Sequence, residues 1–467
     1  MPWISDRPAC VSADRAVDSC TMQWLDRVNR ERETINVRGF ADRRAAGARC
    51  RVANRRFDIG PAFLPSLLVF ALLSISCSSG VEIETSSDDY TQWRGLRSDG
   101  SASAFVEPTR WPDELELEWR VEIGEGYATP LVVGDVVYAF VRREGREVLV
   151  ALEASTGDEL WQSGYSAPYE PGEPAAVHGA GPKATPVYRN GKLFTVGISG
   201  IVAAFDASGG ELLWRTDAPG EAPYFGAASS PIADEGIVIA HPGNYGPLTA
   251  FSAQTGNIEW TVGAGGFFAS PIFADIEGVR QVISVTQEGV IGVSFPGGTL
   301  LWHHPWKGDQ GGPTPVLHGD TVIVSGNQQG AAAIKPVRSD GEWATETVWE
   351  TTAVSMYLSA PVVIADTLYG LSQRSRGQYF ALDVGSGSVL WLGPPRAALN
   401  TAVVKAGKLL LLLNDDAELV VARSNRARFE VVGRYSVAES ATWAQPAVSG
   451  ERVFVKDIDS LTLWIVD

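Results

Sequence analysis

Chemistry needs side chains that hold a charge, a proton or a metal at a fixed spacing, and few groups in this 467-residue chain qualify. The five histidines, His178, His241, His303, His304 and His318, include no pair at the helical spacing that aims two imidazoles at one metal. His303 and His304 are adjacent, and neighbouring side chains on a strand leave from opposite faces. The acidic run "NDDAE" (414–418) could meet a cation, but it lacks the spacing of a calcium loop and reads as a solvated turn. "GAGG" (263–266) precedes a strand and not a helix, so it gains no helix N-terminus for phosphate. Neither a G-x-S-x-G elbow nor a P-loop is present. Two arginine groups stand out on a chain of net charge -17: Arg374 and Arg376 in "SQRSRGQ", and Arg142, Arg143 and Arg146 in "RREGRE". The overall acidity repels phosphate backbones and excludes nucleic acid as a partner. All four cysteines, Cys10, Cys20, Cys50 and Cys77, fall in the first sixth of the chain, so the rest can form no disulfide and offers no thiolate ligand.

The elements that must position these groups come from a repeated phrase. "ALEASTGDELW" (151–161) returns as "AFDASGGELLW" (204–214), "AFSAQTGNIEW" (250–260), "GVSFPGGTLLW" (292–302) and "ALDVGSGSVLW" (381–391). A second phrase, an apolar strand opening on a small-x-Pro or similar step, aligns at Pro130, Pro186, Pro231, Pro271, Pro315, Pro361, Ala402 and Pro446. Eight copies, 40 to 56 residues apart, with period-2 alternation and Gly-containing turns, predict four-stranded antiparallel units. Such an array is an all-β, eight-bladed β-propeller. The chain ends in three strands' worth, "ERVFVKDIDSLTLWIVD", and "LELEWRVEIG" (115–124) is a Trp strand with nothing before it. Pairing this N-terminal strand with the C-terminal strands closes the ring and removes the open edges.

Within the phrase, the glycine can take a positive φ and the Thr or Ser hydroxyl can satisfy a turn amide. The small first residue would let neighbouring blades approach. The closing Trp, on the outer strand, would wedge between blades and bury roughly 150–250 Å². The series is Trp119, Trp161, Trp214, Trp260, Trp302, Trp349 and Trp391, with Tyr435 standing in on blade 7. Stacking of these rings on a sugar or quinone is the alternative to blade docking.

The pattern A-x-D-x-x-T-G-x-x-x-W resembles the repeat of pyrroloquinoline quinone (PQQ) dehydrogenases and of the cofactor-free BamB-type lipoproteins of outer-membrane assembly. The resemblance spans residues 115–467. "YTQWRGLRSDG" (90–100) and "WHHPWKGDQGGPTP" (302–315) also look like a group of exported PQQ-like propellers. The dehydrogenase branch would imply a vicinal disulfide, and calcium held by a Glu and an Asn beside a catalytic Asp. No stretch of this chain matches those motifs, and smaller quinoproteins have six blades. The resemblance therefore implies no cofactor and a non-catalytic scaffold for envelope proteins. The alternative is an oxidoreductase binding PQQ with calcium in the central funnel, an acid such as Asp309 serving as base.

In such a propeller, the loops entering each blade and those between its second and third strands surround one channel mouth. The funnel or partner-binding candidates are Tyr127, His178, Lys183, Tyr224, Phe268, Asp309, Gln310, Tyr357, Arg374, Arg376, Arg396, Asn400 and Trp443.

Residues 55–77, "RRFDIGPAFLPSLLVFALLSISC", carry an apolar run too short to span a bilayer and read as an export signal. The "LLSISC" ending resembles a lipobox, which would acylate Cys77 and anchor the protein to the membrane; an ordinary secretory cleavage is the alternative. With Ser78 following, the address would be the periplasmic side of the outer membrane in a Gram-negative cell. Residues 1–54 hold ten arginines and no lysine, and read as a frame upstream of the true start or a disordered extension. Residues 78–114 read as a linker and lead-in to the propeller.

Overall fold

The computed structural model describes residues 85–307 and 312–467. Among them, 32 strands form eight four-stranded sheets. Seven are consecutive meanders: blade 1 (131–166), blade 2 (187–215), blade 3 (232–265), blade 4 (272–305), blade 5 (316–351), blade 6 (362–395) and blade 7 (401–436). Blade 8 combines strands 447–449, 452–456 and 460–465 with Glu116–Glu122. That strand pairs antiparallel with Ser460–Ile465, setting Trp119 opposite Leu463, so the ring closes as the phase of the repeats predicts.

The turns follow from their residues. Asn190-Gly191, Glu235-Gly236 and Glu277-Gly278 all have positive φ at both positions, the type I′ geometry that matches strand twist. Six of the eight innermost strands have only three residues, and apolar layers fill the space between consecutive blades. Between blades 1 and 2, for example, Phe140, Leu149, Leu193 and Phe205 are fully buried.

The eleven-residue phrase acquires a mechanical meaning. Its small first residue is the cross-strand partner of its own Trp: Ala151 faces Trp161, Ala204 faces Trp214, Ala250 faces Trp260 and Ala381 faces Trp391. At Gly292 a Cβ would lie 2.2 Å from the Trp302 ring. The small residue thus seats the indole within its own blade, and Ala151, Ala204, Ala250 and Ala381 also lie in the apolar layers shared with the next blade, as the blade-approach role expects. A bulge beside each of these pairs turns the Trp toward the next blade. There it lies on the glycine of that blade's hairpin: a Cβ on Gly157, Gly210, Gly256, Gly298 or Gly387 would stand 2.4–2.9 Å from the ring of Trp119, Trp161, Trp214, Trp260 or Trp349. The indole N–H of Trp119, Trp214, Trp260, Trp349 and Trp391 donates to a carbonyl of the following blade, at Ala154, Ala253, Pro296, Val384 and Asn425. Trp302 departs from the series: blade 5 has a longer hairpin with no Thr-Gly, and Trp302 donates to Gln281 of its own blade instead. Tyr435 donates to Pro112 and packs against Trp111 of the lead-in.

The Thr/Ser-Pro steps form a second device. Proline holds the preceding residue extended, and each such residue hands its N–H to the hydroxyl of the next blade. The chain runs Gln445 to Thr129, Thr129 to Thr185, Thr185 to Ser230, Ser230 to Ser270 and Ser270 to Thr314, at 2.9–3.3 Å. It lapses at blade 6, where Ala360 has no hydroxyl; there Ser359 accepts from the Thr401 N–H.

Candidate functional site

The entering loops bring aromatic side chains together in two groups. In one, the rings of Tyr127 and His178 are 6.4 Å apart, and His178 meets Trp443 edge-on at 4.7 Å. In the other, Tyr224 and Phe225 are 5.0 Å apart, Phe225 and Phe268 6.3 Å, and Phe267 joins Phe268 to Tyr245. Lys183 lies by the second group, its ammonium donating to the Phe225 carbonyl at 2.7 Å. Burial lowers that amine to about 8. Burial, then the Lys183 charge, lowers His178 to about 4, so its imidazole is neutral at pH 7. Burial raises the Tyr127 hydroxyl to about 12, with Asp457, Glu125 and Asp459 adding to the effect, and burial raises Tyr357 as well. The mouth thus presents a neutral imidazole, an amine bonded to a backbone carbonyl and phenols that ionise only with difficulty, arranged among aromatic rings.

Other candidates are held inside the scaffold. Asn400 is buried: its side-chain oxygen accepts from Ser359 at 2.7 Å and its N–H donates to Asp415. Asp415 also takes the Leu399 N–H, and Asn414 accepts from Tyr379 and Thr401, so "NDDAE" is an internally satisfied turn. His303 and His304 diverge, one to the Glu288 carbonyl and the other to Thr345 of blade 5. Arg142, Arg143 and Arg146 are bonded to the carbonyls of Ala167, Ile123 and Gly164 around a recess of about 790 Å³ between blades 8 and 1. Arg374, Arg376 and Arg396 differ, being exposed with no guanidinium partner among the described residues. Asp309, Gln310 and Cys77 lie outside the described residues.

The feature that sequence reasoning missed is the path of the lead-in. Tyr90 pairs with Val132 of blade 1, and the Thr91 carbonyl accepts from Tyr188 of blade 2. Trp93 donates to Thr314 at the start of blade 5 at 2.9 Å, and Arg94 donates to Pro361 at the start of blade 6 at 2.6 Å. Ser101 then bridges to Lys405 of blade 7, whose ammonium pairs with Asp99 at 2.9 Å. Blades 1 and 5 stand opposite each other in an eight-bladed ring, so this segment crosses the channel. Tyr90 and Arg94 are each 1% exposed. The glycines of "QWRGLRSDG" permit the crossing: a Cβ on Gly95 would meet the Ser101 carbonyl at 2.8 Å, and one on Gly100 would meet Val362 at 2.7 Å. The available signal was this motif, quoted above only as a marker of likeness.

The channel holds Trp93 and Arg94, and no group of three or more His, Cys, Asp or Glu able to hold a metal stands together among the described residues.

Comparison with known proteins agrees with this architecture. The family model for outer membrane protein assembly factor BamB matches residues 145–392. BamB of Yersinia pestis is 25% identical, over 76% of this chain and 77% of its own length. BamB of Shewanella oneidensis is 22% identical, over 83% and 94%. The dehydrogenase subunit of a quinone-dependent alcohol dehydrogenase from Komagataeibacter europaeus is 29% identical, over 34% of this chain and 22% of its own. Among solved structures, BamB from Moraxella catarrhalis superposes with a TM-score of 0.56 at 15% identity, covering 75% of this chain and 97% of that one. The quinohemoprotein alcohol dehydrogenase of Comamonas testosteroni does so with 0.56 at 14%, covering 81% and 80%. The family match over more than half of the chain, on a ring of eight four-stranded blades, establishes that this chain belongs to the BamB family of PQQ-like β-propellers.

Proposed function

We propose that this protein is a non-catalytic scaffold of the cell envelope, tethered to the outer membrane by a lipid on Cys77, that binds other envelope proteins through the loops of its channel mouth. The observation that carries the reading is the channel crossing: Trp93 and Arg94 bond to the starts of blades 5 and 6 from within. A ring filled by its own lead-in keeps its loop faces for recognition. The BamB relatives support it by the length they share, 77% and 94% of their own chains, whereas the quinone-dependent relative shares 22% of its own. The competing reading, an oxidoreductase using PQQ and calcium, draws on that shorter sequence likeness and on a shared fold with the quinohemoprotein dehydrogenase, and a shared fold does not distinguish the two.

The test is site-specific photo-crosslinking in cells. A crosslinker at Tyr357 or Trp443, on the mouth, should capture defined envelope proteins, and one at Asp320, on a turn of the opposite face, should not. Crosslinks from Asp320 alone, or from no position, would contradict the reading. Labelled palmitate should enter the wild-type protein and not Cys77→Ala.

A further inference from the structure

We infer that Arg374, Arg376 and Arg396 form a docking site for an acidic, apolar-containing segment of a partner protein. The proposal rests on the scaffold reading and names the surface it would use.

The three arginines are brought together by the backbone. The Arg396 N–H donates to the Ser375 carbonyl at 3.2 Å, and the Ala397 N–H to the Gly377 carbonyl at 2.9 Å, locking the two blade 6 loops side by side. Gly377 allows this approach, since a Cβ there would lie 1.6 Å from the Ala398 carbonyl. Below the loop, Gln373 is anchored to Ser355 through both its backbone N–H and its side-chain amide. Ser375, Arg376 and Arg396 hold φ values of 57°, 60° and 59°, a region costly for residues with a Cβ. Strain concentrated on the residues that present exposed charge is typical of sites where geometry serves recognition.

Charge and shape narrow the partner. On a chain of net charge -17, Arg374, Arg376 and Arg396 form a local basic patch: three exposed guanidinium groups on two bonded loops of one blade, none with a partner among the described residues, whereas Arg142, Arg143 and Arg146 are each bonded. Guanidinium groups favour paired bonds to carboxylates. Beside them lie two exposed leucines: Leu358 and Leu399 flank the bonded pair Ser359 and Asn400, and are 38% and 76% exposed. A peptide alternating acidic and apolar residues can meet both features. An anionic membrane would instead bring the remaining acidic surface, with Asp415 bonded directly to the Leu399 amide, against like charge.

The test uses the purified full chain and a fluorescent twelve-residue peptide, three repeats of Asp-Leu-Glu-Phe, followed by anisotropy. The triple variant Arg374→Gln, Arg376→Asn, Arg396→Asn removes the charges, and asparagine tolerates the left-handed backbone at the last two positions. The proposal predicts salt-sensitive binding that weakens roughly tenfold in the triple variant. Replacement of all three by Lys should recover part of it, and the same peptide with Lys for Asp and Glu should not bind. Unchanged thermal unfolding of the triple variant would assign the loss to the patch. Equal binding by wild type and triple variant would overturn the proposal, as would arginine-dependent binding to phosphatidylglycerol vesicles without peptide binding. If mouth crosslinks in cells persist in the triple variant unchanged, this patch fails while the scaffold reading stands; if they are absent in wild type, the scaffold reading itself fails.

Discussion

The Arg94 guanidinium donates to the Pro361 carbonyl at 2.6 Å, joining the lead-in to a blade 267 residues further along the chain. Arg94 is fully buried, and burial lowers it to about 10, with Asp99 and Tyr90 working against that shift. Removing it leaves a carbonyl unpaired and a void in the channel. Arg94→Ala should therefore cost about 2–4 kcal/mol in urea unfolding. Arg94→Lys, which keeps the charge but not the reach or the planar fork, should recover only part of it. A variant as stable as wild type would show that the crossing does not brace the ring.

The Trp and glycine pairs predict an overpacking effect. Gly210 has φ +74°, and a Cβ on it would stand 2.5 Å from Trp161. Gly210→Ala should destabilise by about 2–4 kcal/mol, combining left-handed strain with displacement of the ring. Gly191→Ala, at a turn glycine of positive φ with open space around it, should cost only the conformational part, about 1 kcal/mol. Equal losses at the two sites would refute the docking role of Gly210.

The hydroxyl belt can be cut at the closing seam. Thr129 accepts from Gln445 of blade 8 at 3.1 Å, and both residues are buried. Thr129→Val keeps the shape and orphans that N–H, so it should cost about 1–3 kcal/mol by calorimetric unfolding. Thr129→Ser should retain most of the stability, because it keeps the acceptor.

Glu147 sets a pH dependence. It is completely buried between blades 1 and 2 and accepts from the Ile198 N–H. Burial pushes its carboxyl up to about 7, against the opposing pull of the Ile198 amide, Tyr165 and Arg142. The folded chain therefore keeps a proton that the unfolded chain releases above about 4.5. Its stabilising contribution is full below that value and is lost as pH rises to about 7. His178 and His241, lowered by burial to about 4, act in the opposite sense, with stability gained as pH rises through 4 to 6.5. The test is thus the difference between wild type and Glu147→Gln, which should shift in favour of the variant across pH 5–7 and then level off. A difference that does not change with pH would contradict the assignment.

Much of the ring was legible because each device repeats. Trp119 announced itself as a blade-ending strand lacking the strands before it, and the chain end supplied three strands without a fourth, so closure followed from counting. The lead-in was not legible. "YTQWRGLRSDG" has no alternation to mark a strand, and its partners, Thr314, Pro361 and Lys405, become neighbours only once the ring has closed. The same holds at the mouth. His178 and Trp443 touch although 265 residues separate them, because blades 8 and 2 both flank blade 1. Nor does Asn400 look different in sequence from a loop residue free to bind; only the fold reveals that Ser359 and Asp415 already hold it.

The central claim, that this ring presents surfaces and does not carry out quinone chemistry, is tested most directly by titrating PQQ with calcium into purified residues 78–467. Calorimetry should be read alongside dye reduction over a panel of alcohols and aldose sugars. The account predicts neither saturable heat nor dye reduction. Micromolar or tighter binding accompanied by dye reduction would contradict it.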